Sequence, residues 1–178
     1  EVLAYLKANP DKLSWGSSGT GQSPHLTGAW FLQLTGLKMT HVPFRGAGPA
    51  LQAALGGQID ILFDNLFPSL PQAQDGKLRA LAVTSAARLP SAPDVPTFTE
   101  GGIKGLEFGT WFGLLGPAKL PANVVTTINS ELNKALAAPD LRKKLVEQGL
   151  EISASTPEQF GKLIRTDLVK WGRVVKES

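Results

Sequence analysis

Leu13-Ser14-Trp15-Gly16-Ser17-Ser18-Gly19-Thr20-Gly21-Gln22-Ser23-Pro24 is the stretch on which the fold turns. Lys12 to Trp15 predicts a short strand. Gly16 to Gln22 holds too many glycines and hydroxyls for regular structure. Ser23 followed by Pro24 predicts a helix start, with a hydroxyl to cap free amides and then a residue whose missing N–H costs nothing in the first turn. Leu26, Ala29, Trp30 and Leu34 recur at helical spacing, and Gly36 closes the element. A strand, a glycine-hydroxyl loop and a capped helix in that order place several backbone N–H groups in one concavity at the positive end of a helix dipole. Ser17, Ser18 and Thr20 add hydroxyl donors, and Gly19 and Gly21 let the backbone turn. Such a loop suits an anion. It has no Gly-Lys-Ser/Thr ending, so it is not a P-loop, and Gly16, Gly19 and Gly21 do not make the dinucleotide fingerprint. With no lysine beside it to balance a polyphosphate, the uncharged loop fits a single carboxylate. The alternative is a tight turn in which glycine serves only to reach positive φ.

Outward from this stretch, Val2 to Ala8 predicts a helix broken at Asn9-Pro10-Asp11. Strands are predicted over Met39 to Val42, Ile59 to Phe63, Arg79 to Thr84 and Phe108 to Leu114, with helices at Ala50 to Leu55 and Pro68 to Gln74. Arg88 to Gly105, with three prolines, reads as a long irregular connection. Strand and helix alternate to about residue 115, the signature of parallel βαβ units and an α/β fold. Beyond Gly116-Pro117 the texture is helical. Val124, Val125, Ile128, Leu132 and Leu136 form one stripe, and Leu141, Leu145 and Val146 another. A final helix opens with the capping box Thr156-Pro157-Glu158-Gln159 and is expected to bury Phe160, Leu163, Ile164, Leu168, Trp171 and Val175. Trp30 is likewise assigned to the core, and Trp111-Phe112 either to the core or to the lining of a cleft.

Composition excludes several classes. The chain has 178 residues, 42% hydrophobic and 19% charged, as in ordinary globular proteins, and no apolar run approaches the roughly 18 to 20 residues that cross a bilayer. With no cysteine and only two histidines, a disulfide framework, a thiolate site, a cysteine nucleophile and a histidine-rich metal centre are all excluded, and no cofactor is called for. The net charge of +3 arises in the tail, where Arg142, Lys143, Lys144, Lys162, Arg165, Lys170 and Arg173 interleave with acids along helical repeats. That is a solvated helix pattern, not the basic stripe of a nucleic-acid reader. Glu1 is not a methionine and Val2, Leu3 and Leu6 read as a helix in progress, which predicts a processed or truncated polypeptide.

Other strand ends face the same way if the sheet is parallel. Arg45, after Val42-Pro43-Phe44, offers a bidentate fork for a carboxylate, or is an ordinary surface arginine. Asp64 and Asn65 end an apolar strand where ligands sit in open α/β sheets, and are read as ligand-facing rather than capping. Ser17 or Ser18, His25 and Asp64 supply the types of a catalytic triad, but Gly16-Ser17-Ser18-Gly19 is not the Gly-x-Ser-x-Gly elbow. His25 is read as packed or solvent-facing, or within reach of the loop, and His41 as a satisfied sheet residue.

In ordered combination these stretches resemble the Bug-type solute-binding receptors of tripartite tricarboxylate transporters. The resemblance is carried by Leu13 to Gly21 with His25-Leu26, His41-Val42-Pro43-Phe44-Arg45-Gly46, Phe63-Asp64-Asn65, Gly76 to Thr84, Pro93-Asp94-Val95-Pro96-Thr97, Trp111 to Pro117 and the Asn129 to Leu136 helix. It implies a periplasmic binding protein of the two-lobed, type II-like kind, without catalytic activity, that captures a small di- or tricarboxylate and delivers it to membrane permease subunits. It implies that Ser17, Ser18, Gly19, Thr20 and Gly21 hold a carboxylate, and that Asp64 lies at the cleft with Asn65 beside it. Residues 1–108 would be the complete second lobe and residues 109–178 the returning, mainly helical part of the first. Half a cleft predicts weak or no ligand binding by this polypeptide alone, and its bare apolar faces predict self-association. Two other classes remain open from the residues: an α/β hydrolase or transferase using Ser17 or Ser18, and a ligand-sensing regulatory domain on a binding-protein fold.

Overall fold

A computed structural model describes residues 1–177, with the side chains of Arg173, Val174 and Glu177 left aside. The elements run α1 (Val2–Ala8), β1 (Ser14–Ser17), α2 (Ser23–Thr35), β2 (Thr40–Pro43), α3 (Ala47–Leu55), β3 (Ile61–Leu62), α4 (Leu66–Gln74), α5 (Ala122–Ala137), α6 (Pro139–Glu147) and α7 (Pro157–Glu177). They fall into two compact units, Glu1–Thr110 and Trp111–Glu177.

The first unit is built on a three-stranded parallel sheet in the order β2-β1-β3. Trp15 of the central strand pairs with His41 on one side and Ile61 on the other. Parallel strands need crossovers, and α2 and α3 supply them. The core gathers Leu6, Trp15, Phe31, Leu37, Met39 and Leu106, with Trp30, Phe63, Phe98 and Phe108 packed against it. Gly28 lets α2 approach β1: a Cβ at that position would run into the Trp15 ring. Gly36 ends α2 at φ 65°, a left-handed cap of the predicted type.

Several boundaries differ from expectation for identifiable reasons. β1 extends through Gly16 and Ser17, residues assigned to the loop on composition. Gly16 is needed there because the side chains of Ile59 and Phe44 occupy the space a Cβ would take. Gln22, not Ser23, is the N-cap of α2, and no side chain caps it. The expected strand at Arg79 to Thr84 reduces to one bridge, Val83 with Thr97. Its partner segment carries Pro93 and Pro96, which have no N–H to donate, so the pairing consists of Val83 N–H to Pro96 O and Phe98 N–H to Val83 O. Phe108 to Leu114 forms no strand: Phe108 N–H reaches Thr84 O, and beyond it Phe112, Leu114 and Leu115 stand exposed. An apolar run becomes a strand only where a sheet edge is free to receive it.

The Arg88 to Gly105 connection is irregular but tied down. Glu100 accepts Thr97 N–H at 2.7 Å, pairs with Arg88 at 3.0 Å, and its own N–H donates to Thr97 Oγ1 at 3.1 Å. The Thr97 amide, with Arg88 beside it, holds the exposed Glu100 carboxyl below its ordinary pKa.

In the second unit, Asn129 and Asn133 of α5 both donate to Ser155 O, at 2.9 and 3.1 Å. The predicted capping box opens α7: Thr156 N–H donates to Gln159 Oε1 at 2.9 Å and Gln159 N–H to Thr156 Oγ1 at 3.2 Å. Trp111 is not core; its indole N–H donates to Asp167 at 2.6 Å and its ring meets Phe160 edge-on. Along α7, Phe160, Ile164 and Trp171 are partly buried, but Leu163, Leu168 and Val175 are exposed, contrary to expectation. Neither α5 nor α6 buries a residue fully. Three helices without a sheet beneath them leave much of each amphipathic stripe uncovered.

Gly28→Ala is expected to destabilise the first unit by about 1–3 kcal/mol, because the buried Trp15 ring cannot yield to an added methyl. Gly172→Ala, inside α7 with open space around it, is expected to be neutral or slightly stabilising. Urea unfolding of the two variants checks the contrast.

Candidate functional site

Because β1 and β2 are parallel, their carboxyl ends leave the sheet at the same edge, and each runs within a few residues into a helix. The two loops are clasped together: Phe44 N–H donates to Ser17 O and Gly46 N–H to Ser18 O, both at 3.0 Å. Gly19 (φ 137°) and Gly46 (φ 111°) take up conformations that side chains rarely adopt, and at Gly19 a Cβ would also crowd Phe44 O. Between the loops lies an open recess. Ser18, Gly19, Thr20 and Gln22 line one side, and Phe44, Arg45, Gly46 and Ala47 the other.

The donors in the first loop divide into two sets. Gln22 N–H is taken by Gly19 O at 3.2 Å, Gly21 N–H by His25 Nδ1 at 3.3 Å, and Gly19 N–H makes a long bond of 3.4 Å to Ser17 Oγ. The amides of Ser18 and Thr20 have no protein acceptor among the described residues. At the start of α3, the Ala47 and Gly48 amides are likewise without one, and Pro49 has no N–H to offer. Two helix N-termini thus flank the recess, and Arg45 is the one charged residue lining it. An arrangement of uncharged donors with a single guanidinium and no carboxylate favours a small anion.

Not every predicted residue reaches this recess. Ser17 is fully buried, and its hydroxyl is 2.8 Å from His41 Nε2. Gly21 is engaged with His25. Asp64 and Asn65 do not line the recess. Asp64 Oδ1 accepts Asn65 N–H at 2.9 Å and Oδ2 accepts the Ser69 hydroxyl at 2.7 Å, the bonds of a group holding the first turn of α4. Burial pushes the Asp64 carboxyl above its ordinary pKa of 3.8, against the pull of these two donors.

Beneath the loop lies a cluster that sequence reasoning did not assemble. Trp15 stacks on His41 with ring centres 4.1 Å apart and on His25 at 5.9 Å, and the two imidazoles are 4.6 Å from one another. Phe63 meets the same indole edge-on. The Trp15 indole N–H has no partner among the described residues, a desolvation cost of about 1–3 kcal/mol that this packing sustains. The register Trp15 opposite His41 is the signal that unites them, and it exists only once the strands are paired. Among the described residues no three His, Asp or Glu side chains are grouped to hold a metal ion.

A parallel sheet whose strand ends feed helix termini with open amides has the architecture of a small-anion site, and the comparisons with known proteins give the family. The pattern of the tripartite tricarboxylate transporter family receptor matches residues 1–178, and the chain belongs to that family. A UPF0065 protein encoded in the tcbD–tcbE intergenic region of Pseudomonas sp. is 35% identical over 178 residues, covering 99% of this chain and 53% of its own length. Among solved structures, a periplasmic transporter superposes with a TM-score of 0.94 at 44% identity, covering 98% of this chain and 58% of that one. The R. palustris protein Rpa4515, solved with adipate, superposes with a TM-score of 0.94 at 31% identity, covering 99% and 59%. The fold is that of periplasmic binding proteins. The chain spans about half the length of this curated relative.

Burial, and secondarily the neighbouring His25, hold His41 below the ordinary imidazole pKa of 6.5. A folded chain that takes up this proton later than the unfolded chain is most stable above about pH 6.5 and loses that contribution as pH falls through the lowered value. Ser17, Trp15 and His25 are the groups that face the ring. Asp64 acts in the opposite sense, its contribution being lost as pH rises through its raised pKa. The melting temperature is therefore expected to fall between about pH 7.5 and pH 5, and His41→Gln to flatten the fall, as read by circular dichroism melts.

Proposed function

We propose that this chain is the ligand-capturing part of a periplasmic receptor that binds a small organic carboxylate and passes it to the permease subunits of a tripartite tricarboxylate transporter. Support comes from the unpaired Ser18 and Thr20 amides opening into a recess that holds an arginine and no acidic side chain. Each charge-assisted bond from such donors to a carboxylate contributes about 1.5–3 kcal/mol. Family membership supports the transporter partnership, and the R. palustris neighbour solved with adipate supports the ligand class.

Ser18, Gly19 and Thr20 form the contact surface for one carboxylate. Ser17 and Gly21 hold the loop in shape from behind, tied to His41 and His25. Asp64 and Asn65 close the end of β3, the third strand end of the same sheet. Residues 1–108 act as one lobe, and residues 109–178 belong to the other. The family is one of receptors and BugD among the neighbours is a periplasmic binding protein, and serine chemistry finds little support at the loop: Ser17 is sealed from solvent, and both histidines are engaged elsewhere than at Ser18, His41 with Ser17 and His25 with Gly21.

Thermal unfolding of the chain with a series of mono-, di- and tricarboxylates tests the proposal. A cognate acid at a hundredfold excess over Kd is expected to add about 2.7 kcal/mol of stability, a rise of roughly 5–11 °C. Absence of any ligand-dependent shift across the series overturns it.

A further inference from the structure

The backbone at Arg45 is held by its neighbours. Phe44 and Gly46, on either side, donate their amides to Ser17 O and Ser18 O at 3.0 Å, so the backbone at Arg45 is stapled to the opposite loop of the recess. Its side chain is exposed, and none of the four ion pairs among the described residues includes it. Facing it across the recess are Ser18, Gly19 and Thr20, which supply donors without charge. Those amides suit one carboxylate. A monocarboxylate bound there would leave the guanidinium in water, whereas a ligand with a second carboxylate can accept from its planar fork in bidentate fashion.

We infer that Arg45 is a specificity-determining residue that selects dicarboxylates over monocarboxylates, one ligand carboxylate lying at the Ser18 and Thr20 amides and the other at the Arg45 guanidinium. The inference rests on the carboxylate-capture reading and deepens it by naming what distinguishes the ligand. Because Arg45 is exposed, its contribution is screened by salt, and the preference shrinks as ionic strength rises.

Adipate and hexanoate share a six-carbon skeleton and differ in the second carboxylate, so their comparison isolates its effect. In amide-resolved NMR titrations of the chain, the Ser18 and Thr20 signals are expected to saturate at about tenfold lower adipate than hexanoate at low salt. Arg45→Gln should reduce that ratio to about twofold or less, with hexanoate affinity changed little. Arg45→Lys, which keeps the charge but loses the fork, should retain part of the preference. An unchanged ratio in Arg45→Gln, or equal weakening toward both acids, overturns the role of Arg45 and leaves carboxylate capture standing. If neither acid moves the Ser18 and Thr20 signals, carboxylate capture at this loop fails, and the inference with it.

Discussion

The distance between α2 and β1 is set by one contact, the Trp15 ring against the bare backbone of Gly28. Trp15 is almost wholly buried in the central strand, and three further rings, His25, His41 and Phe63, fix its plane. A helix held this close brings its N-terminus directly over the end of the strand it follows, and the intervening residues must turn within a few positions. That is why the loop needs Gly19 and Gly21 at positive φ and why some of its amides point away from the protein's own acceptors. The opening that suits an anion is thus a consequence of packing one layer down.

The same packing explains how the two histidines shape the loop. His25 accepts the Gly21 amide and His41 meets the Ser17 hydroxyl, so each imidazole holds one side of the loop. Both are stacked with the indole that places the helix. Loop shape, strand pairing and helix position are therefore one mechanical unit, and the recess is preorganised to the extent that this stack is rigid.

Much of this was legible in the sequence. The order of strand, glycine-hydroxyl loop and helix, the glycine stop at Gly36 and the capping box at Thr156 each rest on local chemistry, and local chemistry survives folding. The strands expected at Arg79 to Thr84 and Phe108 to Leu114 were not realised, because a strand depends on a partner elsewhere in the chain that its own periodicity does not reveal. The stripe of α7 was visible, but how far it would be covered was not. At the site, the amide-rich loop was readable from residue types. The partition of its amides was not, since it depends on His25 and His41 arriving from two different elements. Asp64 reads as ligand-facing at the end of its strand, and the bonds its oxygens accept from Asn65 N–H and the Ser69 hydroxyl show only in the fold. Arg45 passed for a surface residue until the parallel register brought its loop beside the first.

The Ser18 and Thr20 amides, left without a protein acceptor among the described residues, are the donors to which a carboxylate would be the missing acceptor. A crystal structure of the protein grown with adipate tests this most directly. It should place carboxylate oxygens about 2.7–3.2 Å from those two nitrogens, in the recess between the loops. Ordered adipate bound elsewhere, with both amides turned onto the protein's own carbonyls, would contradict it.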